Sequence, residues 1–164
     1  MLERDELTLE ERLANATTRS IAALRNSKGL QVTVLQVKPN EENVYIMFTA
    51  LRSLENGVNS VDFRNYDNVY TYTDDTPAFD FTDDIKVNSV LEGAYVTFNN
   101  PRTDNRFDDY PGRSLSVSDV VVLTYGNLRK AYFCDSIGFV ELPDAFVAAF
   151  SASLEQQKDN YVKE

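Results

Sequence analysis

The chain has 164 residues, 43% of them apolar and 12% aromatic, with 26 acidic against 16 basic side chains, a net charge of −10, one cysteine and no histidine. That length suits one domain, or a small domain with an arm, and buries about 70% of the unfolded surface, while the composition excludes wholesale disorder and low-complexity repeats. The missing histidine rules out His-based triads and His-ligated zinc or haem, and the single Cys134 rules out a disulfide framework and every multi-cysteine metal site.

Residues 1–29 read as a helical arm: Thr8 and Glu11 have capping-box spacing, and Leu9, Leu13, Ala16, Ile21 and Leu24 form a thin apolar stripe closed by Gly29. Such an arm packs peripherally or holds a homodimer together. Residues 31–38 alternate around Val32, Val34 and Val37, which predicts a strand stopped by Pro39. A second strand is expected over 43–48. A short helix is expected over 48–57, where Phe48, Leu51 and Leu54 lie three apart. Residues 68–73 repeat with period two and predict a strand, 74–84 a loop, and Val87, Val90, Leu91, Tyr95 and Phe98 one face of a helix. Turn signals fill 99–113.

Ser114–Ser118 alternates, Val120–Leu123 is a continuous buried run, and Gly126-Asn127 turns the chain into a return strand over 131–135. A last helix begins near Asp144 with Phe146, Val147, Phe150 and Leu154 inward, and a tail frays from Gln156 over 156–164. These elements predict an α+β domain over 30–155: a small antiparallel or mixed sheet with a C-terminal hairpin, flanked by helices.

The block Gly112-Arg-Ser-Leu-Ser-Val-Ser-Asp-Val-Val-Val-Leu123, followed by Ala131-Tyr-Phe-Cys-Asp-Ser-Ile-Gly-Phe-Val-Glu-Leu-Pro-Asp-Ala-Phe146, resembles the signature of the YodL-like domain family. Asn65-Tyr-Asp-Asn-Val-Tyr70 and the Leu91, Tyr95, Phe98-Asn99 pattern fall upstream in the order that family shows, and the resemblance covers roughly residues 43–150. It implies a small accessory module of the kind common in Firmicutes and on their phages and conjugative elements. It supplies no catalytic residue.

Two constellations carry candidate function. Ser118, Asp119, Asp135 and Ser136 fall near one end of the hairpin, where they would form a small ligand site or the centre of a small enzyme. The competing reading is that they satisfy backbone N–H groups at strand ends. A serine nucleophile also needs a base within reach. The second constellation is the segment 62–84, with seven aspartates against the one base Arg64, interleaved with aromatic residues. Asp62, Asp67, Asp74, Asp75, Asp80, Asp83 and Asp84, spaced along a strand at about 6.7 Å per two residues, would imitate the charge of DNA. Tyr70 and Tyr72 would add anchoring area. The competing reading has the aromatics inward and the acids solvated. Adjacent aspartates on a strand point to opposite faces, so the Asp doublets predict no metal site. Cys134, in a strand beside Tyr132 and Phe133 and without the electropositive, open setting of a reactive thiol, is predicted to be a core cysteine.

The expected function is a non-catalytic, cytoplasmic protein-interaction module that binds a host protein through its basic surface, without cofactor or metal. Its sharper form is a DNA-mimic inhibitor of a defence nuclease, of the anti-CRISPR or anti-restriction type. The net charge disfavours direct nucleic-acid and membrane binding. The first residues lack the plan of a signal peptide, and no apolar run reaches the about 18 residues of a membrane span.

Overall fold

The computed structural model describes residues 29–74, 78–99 and 110–162. All of the arm read over 1–29 except Gly29, the dimer role given to it, most of the 99–113 loop and Asp75 lie outside these residues. Five strands, β1 (Leu30–Val37), β2 (Tyr66–Asp74), β3 (Val120–Tyr125), β4 (Leu128–Cys134) and β5 (Phe139–Glu141), form one sheet in the order β2-β1-β3-β4-β5. Every neighbouring pair is antiparallel. Helix α1 (Asp84–Asn99) and helix α2 (Asp144–Val162) complete an α+β domain. α2 continues past Gln156.

β1 lies inside the sheet between β2 and β3, and all eight of its residues are buried. Alternation along the strands divides them between two cores. Leu30, Val32, Val34, Val121, Leu123 and Tyr132 pack with Val87, Val90, Leu91, Ala94 and Phe98 of α1. Leu35, Val37, Val120, Val122, Ala131 and Phe133 pack with Phe146, Phe150 and Leu154 of α2. The helices therefore cover opposite faces of the sheet. A bulge opposite Val34/Leu35 lets Val69 and Tyr70 both join the α1-side core. The β3–β4 hairpin closes through Gly126 at φ +60°, the geometry of a type II′ turn with glycine first.

Three expectations change. Residues 43–48 form turns: both edges of β1, the strand that precedes them, are already occupied by β2 and β3, so the Val44–Phe48 alternation cannot fold back on β1 as a hairpin. The expected helix over 48–57 reduces to a 3₁₀ turn at Leu51–Ser53, with another at Gly57–Ser60. A three-residue apolar repeat is the period of the tighter helix, and Leu51, Leu54 and Val58 lean on the α2-side core. Ser114–Ser118 is irregular, and β5, only three residues long, carried too little pattern to be read.

Candidate functional site

The serine–aspartate cluster assembles where the sequence places it. Ser118 donates its N–H to Cys134 O (2.9 Å) and Cys134 donates to Asp119 O (2.8 Å), joining the two sides of the hairpin end, while Asp135 donates to Gly138 O (2.9 Å) and closes the β4–β5 turn. Three of the four side chains, however, those of Ser118, Asp119 and Asp135, are committed to holding the fold. Ser118 Oγ accepts the Phe48 N–H at 2.9 Å, and Ser118 O accepts the Tyr66 hydroxyl at 2.6 Å. Asp135 Oδ1 accepts the N–H groups of Leu51 (3.1 Å) and Ser136 (2.9 Å). Ser118 and Asp135 thus pin the turn-rich segment 48–51 to the sheet. Phe48 sits at φ +63° and Ser118 at φ +85°, a backbone region costly for side chains other than glycine, so the hydrogen bond between them joins two strained residues.

Asp119 is 2% exposed. Its Oδ2 accepts the Ser116 N–H at 2.8 Å and Gln36 Nε2 at 3.0 Å. Burial pushes its carboxyl up to about 6, against the lowering effect of those hydrogen bonds and of Arg113. A shifted carboxyl in a cleft would suggest acid–base work; this one is sealed beneath its own network. Gln36 Nε2 also donates to Arg113 O (3.0 Å), Arg113 N–H returns to Gln36 Oε1 (2.9 Å), and the Tyr110 hydroxyl donates to Arg113 O (2.8 Å). Sequence reasoning missed Gln36, Tyr110, Gly112 and Arg113. The available signal was a glutamine in an otherwise apolar strand and a glycine opening the Gly112–Asp119 block. A Cβ on Gly112 would meet Gln36 Oε1, Tyr110 Oη and Val69 Cγ1 at 2.6 Å each. Cys134 is 3% exposed, and burial pushes its thiol up to about 12.

The acidic segment is divided. Asp62 caps the 3₁₀ turn Phe63–Asn65 and pairs with Arg64 Nη2 at 2.7 Å; that hydrogen bonding holds its carboxyl below the usual range. Asp67 is half-buried, and desolvation raises its carboxyl against Lys38 and Arg113. The length of β2, about 26 Å at 3.3 Å per residue, separates the Asp62 end from Asp74 and the residues beyond it. There Asp80 accepts the Thr82 N–H and hydroxyl, which lowers its carboxyl. Asp83 Oδ1 caps α1 by accepting from Ile85 (3.1 Å) and Lys86 (3.3 Å), and Asp84 sits in the first turn, favoured by the helix dipole. Tyr70 and Tyr72, expected as partner anchors, serve the core instead. Tyr70 is buried edge-on to Tyr110 and Phe98, and Tyr72 packs on Phe98 at 5.4 Å. The bulge and the adjacent α1 offered these rings more apolar contact than water would.

The large apolar side chains left in water lie elsewhere. Ile85 and Val96 on α1 are 82% and 72% exposed, and Ile137 at the β4–β5 turn is 90% exposed. Beside them a cleft of about 420 Å³ opens between α1 and that turn, with walls that include Glu92, Tyr95, Val96, Asp135, Ser136 and Phe139. Ser118 and Asp119 do not line it. A second exposed group, Val44, Tyr45 and Phe48, crowns the segment pinned by Ser118. Among the described residues no group of three or more Cys, Asp or Glu could hold a metal, and no helix is long and apolar enough to cross a membrane.

No curated protein and no solved structure matches the chain. The family model of the YodL-like domain matches residues 31–146, a span that runs from β1 through the Gln36–Asp119 network to the first turn of α2, and the chain belongs to the YodL-like domain family.

Proposed function

We propose that this chain is a non-catalytic interaction module that binds a host protein carrying a basic surface. One observation carries the reading: Ser118 Oγ, Asp119 Oδ2 and Asp135 Oδ1, which would do chemistry, are spent on the fold, while Ile85, Val96 and Ile137 stay exposed. Asp80 and Asp83 precede α1, and its solvent-facing side runs from Asp84 through Ile85 and Glu92 to Val96. Carboxylates beside apolar anchors suit a partner that is positively charged at its rim. The contact surface therefore moves from the strand-borne tyrosines to α1 and the β4–β5 turn. In its sharper form the partner is a defence nuclease, of the CRISPR or restriction type, whose phosphate-gripping face is occupied; the net charge of −10 supports that form.

The test captures partners from host lysate on the immobilised chain at low and high salt and identifies them by mass spectrometry. The expected result is a protein retained at low salt, released by high salt, and lost with Ile85→Asp or Ile137→Asp. A retained nuclease should also lose activity on adding the chain. Retention of nothing, or equal retention by both variants, overturns the proposal. A second reading, a small-ligand site at the hairpin end, has in its favour the cleft that reaches Asp135 and Ser136. Binding of a nucleotide or other metabolite there, abolished by Ser136 substitution, would replace the first reading.

A further inference from the structure

We propose that the cleft between α1 and the β4–β5 turn is a receptor for a single arginine side chain of the partner protein. The inference rests on the interaction-module reading and gives it a specific contact. Its volume, about 420 Å³, lies within the range of about 300–1,000 Å³ common to sites that enclose a ligand. Two of its wall residues, Glu92 and Asp135, are acidic, and two, Tyr95 and Phe139, are aromatic; no lysine or arginine lines it among the described residues. An anion would be repelled, and a purely apolar occupant would strip water from two carboxylates and return nothing. A cation with a flat face satisfies both features. Guanidinium offers five donors in a planar fork to carboxylate oxygens and stacks on aromatic rings, whereas ammonium supplies a compact, more strongly hydrated charge.

The site is also preorganised. Asp135 is held in place because its Oδ1 already accepts from Leu51 and Ser136, while its Oδ2 makes no hydrogen bond among the described residues. Glu92 stands on a regular helical turn of α1, and Phe139 is fixed opposite Cys134 by the β4–β5 pairing. Val96 in the wall, and Ile137 between the wall residues Ser136 and Gly138 in sequence, supply exposed apolar area that would shield the charged contact from water, the arrangement found around interface hot spots.

The test titrates the isotopically labelled full chain with N-acetyl-arginine amide and follows backbone amide resonances. Saturable shifts are expected at Tyr95, Val96, Ser136, Gly138 and Phe139. Binding should weaken about five-fold in Glu92→Gln, an exposed position where the fold is unaffected, and should weaken with added salt. The neutral analogue N-acetyl-citrulline amide should produce no saturable shift. Absence of saturable shifts, equal binding of the citrulline analogue, or indifference to Glu92→Gln each overturns the inference. A partner captured by wild type and by Glu92→Gln alike, but lost with Ile137→Asp, would retain the module reading and remove the arginine receptor.

Discussion

Gln36 and Asp119, 83 positions apart in the chain, meet in a buried hydrogen bond of 3.0 Å between Nε2 and Oδ2. The contact ties β1 to the entry of β3. It also fixes the intervening loop, because the same glutamine clasps the Arg113 backbone through both its N–H and its carbonyl. Asp119→Ala should therefore leave the Ser116 N–H without its acceptor and Gln36 Nε2 with Arg113 O alone, at a total cost of about 1–3 kcal/mol. Urea unfolding should show a lowered midpoint with an unchanged slope.

The same carboxyl sets a pH dependence. Burial raises its pKa from 3.8 to about 6 in the folded chain, so the folded state holds the proton more tightly than the unfolded state. This contribution is fully present below the unfolded value and is lost as pH rises through the folded one. Relative to Asp119→Asn, wild-type stability should fall by about 2–3 kcal/mol between about pH 4 and about pH 7. Parallel denaturation curves for the two proteins across that window check the sign. A difference that grows in wild type's favour with pH would contradict it.

Gly112 is required for space. Its φ is not in the left-handed region, yet an added methyl would meet three atoms at 2.6 Å, two of them belonging to the polar network. Gly112→Ala should destabilise by about 1–3 kcal/mol and lower the melting temperature by several degrees, read by calorimetry. Gly93, where an added Cβ meets nothing within 4 Å, is the internal control: Gly93→Ala should leave the fold intact and gain up to about 1 kcal/mol in mid-helix.

Ser118 holds Phe48 in place. Ser118→Ala removes the acceptor of the Phe48 N–H and should cost about 1 kcal/mol. Amide hydrogen exchange should accelerate at Phe48 and its neighbours while the β3–β4 hairpin keeps its protection. Uniform acceleration across the sheet would show that the serine supports the whole fold instead of one segment.

The Cys134 thiol should resist modification in the native state. With burial raising its pKa to about 12, little thiolate exists near neutrality. An aromatic disulfide reagent should label it only as fast as the protein opens, and stoichiometrically in denaturant. Rapid native labelling would refute the buried assignment.

The strands β1, β3 and β4, the helix around Val90 and the C-terminal helix were legible because their apolar periods are local properties of the chain. The hairpin also made the meeting of Ser118, Asp119 and Asp135 foreseeable, since strand pairing across a two-residue turn sets register. That these side chains serve backbone N–H groups was one of the two readings the sequence left open; which groups they hold was not foreseeable. It depends on Phe48, Leu51 and Gln36, whose approach is decided by the β2-β1-β3 strand order and not by any spacing near Ser118. The fate of Tyr70 and Tyr72 is similar. Alternation placed them on one face of a strand, but which face became core was settled when α1 folded over it and Phe98 arrived beside both rings. Local pattern records which side chains point the same way; burial and hydrogen-bond partners come from contacts between elements distant in the chain, and those arise only on packing.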